Sequence, residues 1–119
     1  MIESQNDFFE LYNLKVEVIG EEATFVCSHR PGYAFDVIGE NISFSNSPNS
    51  SFSFYTLAGL TPLFAAKQRK THPNDWMTTD EVIACPDKNC GAKFLITRNG
   101  ATRFSRSEVT KEPLRESSK

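Results

Sequence analysis

The sequence predicts a mainly β (α+β) domain in which short hairpins surround one metal ion, with a short helical insertion at 53–70. Three observations predict it. Apolar runs are short and alternate with polar residues, the period of half-buried strands. Cys27, Cys85, Cys90, His29 and His72 supply a ligand set of the Cys3His kind. The apolar fraction is 39% with tyrosine counted, against ~45–50% with glycine counted in ordinary globular proteins. Ten phenylalanines compensate by area, and a lean core of this kind gains from a metal staple.

The 119 residues make one domain, 1–106, followed by a polar tail over 107–119. A net charge of −2 argues against a dedicated nucleic-acid binder. No run approaches 18 consecutive apolar residues, so no membrane partner is expected. The acidic, polar start lacks the basic and apolar regions of a secretory signal, which makes the expected location cytoplasmic. In a reducing compartment an odd count of three cysteines fits a metal site better than a disulfide framework.

Leu14 to Ile19 alternates apolar and charged residues and closes on Gly20, the pattern of a strand. Glu21-Glu22 turns the chain, and Ala23 to Cys27 reads as a second strand. Tyr33–Ile38 and Asn41–Phe44 flank Gly39-Glu40, a two-residue loop suited to a type II′ hairpin. Ser45 to Ser51 is loop. Phe54, Leu57, Ala58, Thr61, Phe64 and Ala65 then recur at helical spacing. Pro62 should interrupt that helix. The expectation is two short helices, one capped by Ser53 and one by Thr61 with Pro62 at its first position.

His72-Pro73 leaves the helix. In the stretch around it, Arg69 and Trp76 read either as contact residues or as a helix end with Trp76 closing the core. Asp80 to Ala84 leads as a strand into the paired cysteines. Phe94–Arg98 and Ala101–Phe104 around Asn99-Gly100 read as a hairpin, because Asn-Gly is the preferred type I′ turn. Arg98, Arg103 and Arg106 would add a modest basic face.

Cys85-Pro86-Asp87-Lys88-Asn89-Cys90-Gly91 has the cysteine spacing of a zinc knuckle. Pro86 shapes the turn, and Gly91 permits backbone angles that aim amides at sulfur. Cys27-Ser28-His29-Arg30-Pro31-Gly32-Tyr33-Ala34-Phe35 repeats the order of cysteine, turn, glycine and aromatic. Two such knuckles facing one another make a zinc ribbon. Cys27, Cys85 and Cys90 are its expected thiolates, with His29 as fourth ligand and His72 as the alternative. Water in that position would open the metal to catalysis. The ion is read as zinc, although thiolate-rich sites accept iron as well.

Other chemistries weighed on the same residues are a Cys27–His29 nucleophile pair, a redox disulfide between Cys85 and Cys90, and an iron–sulfur centre. No residue orients His29 for the first. The spacing is not the two-residue step of thioredoxin-type motifs, nor either ferredoxin pattern.

From Tyr55 to Phe94 the chain resembles a group of small, poorly characterised bacterial proteins, through Ala66-Lys67-Gln68-Arg69, Asn74-Asp75-Trp76-Met77 and the Cys85–Gly91 knuckle. More faintly, Cys27, Cys85, Cys90 and Gly91 are similar to positions in the small zinc subunits of ATP-dependent acetone and acetophenone carboxylases. The second cysteine of that first knuckle is absent here, and the second knuckle is longer. The resemblance implies a non-catalytic zinc subunit docked on larger protein chains of a carboxylating ligase. The other expectations are a free-standing metalloenzyme with an open metal position, and a zinc-ribbon adaptor for protein or nucleic acid.

Overall fold

The structure, a computed structural model, describes residues 7–79 and 82–112. It is mainly β, built on one antiparallel sheet with a few short helices. The strand expected at Leu14–Ile19 is the inner half of a longer one, β1 (Phe8–Ile19). β2 (Ala34–Ile38), β3 (Asn41–Ser43), β4 (Val82–Ala84) and β5 (Lys93–Ser105) complete the sheet. The order is β3-β2-β1-β5-β4, antiparallel throughout. The helices are α1 (Phe54–Lys67), α2 (Trp76–Thr79) and α3 (Arg106–Val109).

The hairpin expected at β2 and β3 forms, with Ile38 paired to Asn41 across Gly39-Glu40. Gly39 has φ 62° and Glu40 is not at positive φ. Only the first loop residue is left-handed, which selects type II′ over I′.

The hairpin expected around Asn99-Gly100 does not form. β5 runs straight through these residues because β1 reaches back to Phe8 and offers a partner along its whole length. Tyr12 pairs with Ala101 and Leu14 with Arg98. Asn13 thus faces two residues, Asn99 and Gly100, and the Asn-Gly pair makes a bulge. Gly100 takes the left-handed angle there, φ 81°. Asn13 fixes the bulge by accepting from the Gly39 amide (3.2 Å) and the Thr102 hydroxyl (2.7 Å).

The strand expected at Ala23–Cys27 is also absent. Glu22–Thr24 is a 3-10 turn, and the segment after it bonds to the second cysteine loop instead of to a strand. The Gly91 amide donates to the Thr24 carbonyl at 2.9 Å.

α1 is one helix, not two. Ser53 does cap it, its side chain accepting from the Thr56 amide. Thr61 is no cap; its hydroxyl donates to the Leu57 carbonyl one turn back. Pro62 lies inside the helix on its exposed side. The fourfold spacing of buried Thr56, Leu60 and Phe64 keeps the opposite side packed through the proline.

Leu60 and Phe64 cover one face of the sheet, over Leu14, Val16 and Val18 of β1, Phe35 and Val37 of β2, and Phe94 and Ile96 of β5. Full burial of each such side chain contributes about 1.5–3 kcal/mol. Arg98 does not belong to a basic face. Its guanidinium lies 4.4 Å from the Tyr12 ring centroid and donates to the carbonyls of Lys67 and Arg69 at the end of α1. Trp76 is 69% exposed and does not close the core.

The start of the tail is ordered across the expected boundary at 106/107. α3 spans it, and the Ser107 amide donates to Asp7 Oδ1 at 2.9 Å. Asp80 and Glu81, residues 1–6 and residues 113–119 lie outside the described residues. Among the described residues no helix is long and apolar enough to cross a membrane.

Candidate metal centre

Sheet topology brings the two cysteine segments to one end of the molecule. Ile19, the last residue of β1, pairs with Lys93, the first of β5. Lys93 also pairs with Ala84, the last residue of β4. The β1–β2 connection, with Cys27 and His29, therefore emerges beside the β4–β5 connection, with Cys85 and Cys90. Long-range pairing places these groups where local sequence could not.

The three thiols meet there. Cys90 Sγ lies 3.2 Å from Cys27 Sγ, and Cys85 is close enough to Cys90 for the two thiols to perturb each other. Each sulfur also has the backbone amide two residues further on aimed at it: His29 at Cys27, Asp87 at Cys85, Ala92 at Cys90. Cys90 receives a second amide, from Val26, at 3.5 Å. Amides so placed stabilise thiolate over thiol.

The balance differs among the three. Burial pushes the Cys27 thiol above its usual range, helped by the neighbouring Cys90. Burial likewise raises Cys85, against its amide bond from Asp87. Burial opposes ionisation of Cys90 too. There the amides of Ala92 and Val26 and the two neighbouring thiols outweigh it, lowering the pKa to about 7.

Both histidines have other partners. His29 is 1% exposed, its ring 4.3 Å from that of Phe52 and edge-on to Phe94 at 5.5 Å. Its Nε2 pairs with Thr56 Oγ1 at 3.2 Å, and burial lowers its pKa. Exposed His72 accepts from the Asn74 amide through Nδ1 at 3.0 Å. The structure thus groups Cys27, Cys85 and Cys90 and holds each imidazole in a separate local contact.

Among the described residues, no group of three or more His, Cys, Asp or Glu side chains is arranged to hold a metal ion as it stands. The spacing of the sulfurs gives a physical reason. Two thiolates on a tetrahedral zinc, each about 2.3 Å from the ion, stand about 3.8 Å apart. Cys27 and Cys90 are closer than that because the thiols are packed on one another. Parting them by about half an ångström is a side-chain adjustment.

Residue patterns missed two parts of this site. Thr56, the partner of His29, sits in a helix whose spacing reads simply as core. Thr24 faces Gly91 so closely that a Cβ there would be 1.9 Å from its hydroxyl oxygen. A glycine directly after the last cysteine was the available signal, and it marks close approach as readily as a turn. Three clefts of 190–320 Å³ elsewhere on the surface are lined by none of the cysteines or histidines.

No protein-family model, curated protein or solved structure matches this chain.

Proposed function

We propose that this chain is a small zinc-binding accessory subunit, in which Cys27, Cys85 and Cys90 hold one ion and clamp the two connections together. The observation that carries this reading is the convergence of three sulfurs from two distant segments, each facing the amide two residues on. Three thiolates suit zinc by softness, and the fourth position is left to solvent in the free chain. The contacts of His29 with Thr56, Phe52 and Phe94 favour solvent there over its imidazole.

The accessory role is supported by α1. From Phe54 to Ala66 it carries no charged residue. Phe54 and Tyr55 are 69% and 77% exposed and stack on each other, and Ala58, Pro62 and Ala65 are also exposed. A helix apolar on all sides normally lies buried, so this face suits a larger chain. The resemblance carried by Cys27, Cys85, Cys90 and Gly91 points to an ATP-dependent ketone carboxylase as that larger enzyme.

Metal analysis of unchelated protein tests the ion: about one equivalent of zinc per chain is expected, and less than half an equivalent overturns it. Size-exclusion of native source material tests the role. Co-migration with much larger chains is expected, and migration as the lone 13.4 kDa chain overturns the accessory reading.

A further inference from the structure

We propose that Cys27 and Cys90 form a dithiol that peroxide closes to a disulfide, disassembling the thiolate site. The dithiol stands on geometry alone, and only its consequence, release of the ion, rests on the zinc reading above. The two sulfurs are 3.2 Å apart, 63 residues distant in sequence. Their segments are tied beside the contact, by the Gly91 amide on the Thr24 carbonyl and by the Val26 amide on Cys90 Sγ. Closing the bond therefore moves side chains while the backbone stays in register. Cys27 is partly exposed and Cys90 is buried against it. A small oxidant reaches the first, and the second is in place to resolve the product.

The chemistry balances with hydrogen peroxide as oxidant. The Cys27 thiol, the accessible one, gives up its proton and attacks one peroxide oxygen, the O–O bond breaks, and hydroxide leaves and is protonated to water. Cys27 is then a sulfenic acid, oxidised by two electrons. The Cys90 thiolate attacks that sulfur, the S–O bond breaks, and the second hydroxide leaves as water. In sum, two thiols and one peroxide give one disulfide and two waters. A zinc ion on the site keeps only Cys85 and is released. A dithiol reductant reverses the change by exchange.

The test treats full-length protein, metal-free and zinc-loaded, with a small excess of hydrogen peroxide, then blocks remaining thiols and digests with trypsin. Lys88 lies between Cys85 and Cys90, so the digest separates them and the linkage is read directly by mass spectrometry. Free thiols should fall from three to one per chain, with Cys27 joined to Cys90, and dithiothreitol should restore all three. Cys85→Ser should retain the link and Cys90→Ser should lose it. If the Cys90 variant fails to fold, the linkage map of wild type and of Cys85→Ser still decides. Three surviving thiols, a Cys85–Cys90 link, or links between chains overturn the proposal. A chain that forms the link yet never binds zinc overturns the metal reading alone. A chain that holds zinc and never forms the link overturns only this one.

Discussion

Gly91 is pressed against Thr24. A Cβ on Gly91 would stand 1.9 Å from Thr24 Oγ1 and 2.6 Å from Thr24 Cβ. Its amide meanwhile donates to the Thr24 carbonyl at 2.9 Å. Gly91 is not among the glycines at positive φ, which are Gly20, Gly32, Gly39 and Gly100. It is glycine for lack of space, and turn geometry does not demand it. Because this contact is where the two cysteine connections touch, its size constrains the whole site.

Gly91→Ala should therefore destabilise the fold by about 1–3 kcal/mol, the usual cost of overpacking, read as a lower urea midpoint at unchanged slope. Adding Thr24→Gly should recover part of the loss, since the two nearest clashing atoms go with that side chain. Equal midpoints for wild type and Gly91→Ala would show that the loops part freely.

Arg98 ties the sheet to the end of α1. It donates through Nε to the Lys67 carbonyl at 2.8 Å and through Nη2 to the Arg69 carbonyl at 2.9 Å. The Lys67 carbonyl is one a helix C-terminus leaves without an intrahelical partner, and Arg69 follows directly after the cap. Lysine keeps the charge but cannot present a fork to both. Arg98→Lys should cost about 1–2 kcal/mol. Hydrogen exchange should quicken at the Gln68 and Arg69 amides, which close the last turn. Unchanged exchange there would mean that the helix end is held by its own packing.

Asp7 joins the start of β1 to the start of α3. Hydrogen bonds from the Ser105 hydroxyl, and then from the Ser107 hydroxyl and amide, hold its carboxyl below its ordinary value of 3.8. With the folded pKa depressed, the ionised bonds contribute fully above the unfolded value and are lost as pH falls through the folded one. Protection of the Ser107 amide should thus be flat from neutrality to about pH 5 and fall below 3.8 toward its folded value. Asp7→Asn should remove that pH dependence. Loss of protection already near pH 6 would assign the effect to another group.

The β class, the Gly39-Glu40 hairpin and the Ser53 cap were legible because each is set by neighbours in sequence. Asn99-Gly100 was misread for the complementary reason. Its turn preference is local, but β1 supplies a partner strand on both sides of it, and ladder hydrogen bonds outweigh a two-residue preference. Pro62 likewise reads as a break, yet the core contacts of Leu60 and Phe64 carry α1 through it. For the site, sequence proposed the three cysteines as one group, and the register Ile19–Lys93–Ala84 brings their segments together. The position of His29 was not legible. Phe52 and Thr56 come from around the start of α1 and Phe94 from β5, and only the folded chain assembles a pocket for His29 from them.

Cys90 is the sulfur on which the others converge, so its loss separates the metal's contribution from that of packing. Zinc binding only to the folded chain stabilises it by about 4 kcal/mol at a thousandfold excess over the dissociation constant. Thermal unfolding should accordingly rise several degrees when zinc is added to wild type. Cys90→Ser, nearly the same size as the thiol it replaces, should keep the metal-free midpoint close to wild type and gain almost nothing from zinc. Cys85→Ser should fall between, since Cys27 and Cys90 still offer two thiolates. His72→Ala, at an exposed turn where the ring accepts from the Asn74 amide, should respond to zinc as wild type does. A zinc response that survives in Cys90→Ser would place the ion elsewhere on the chain.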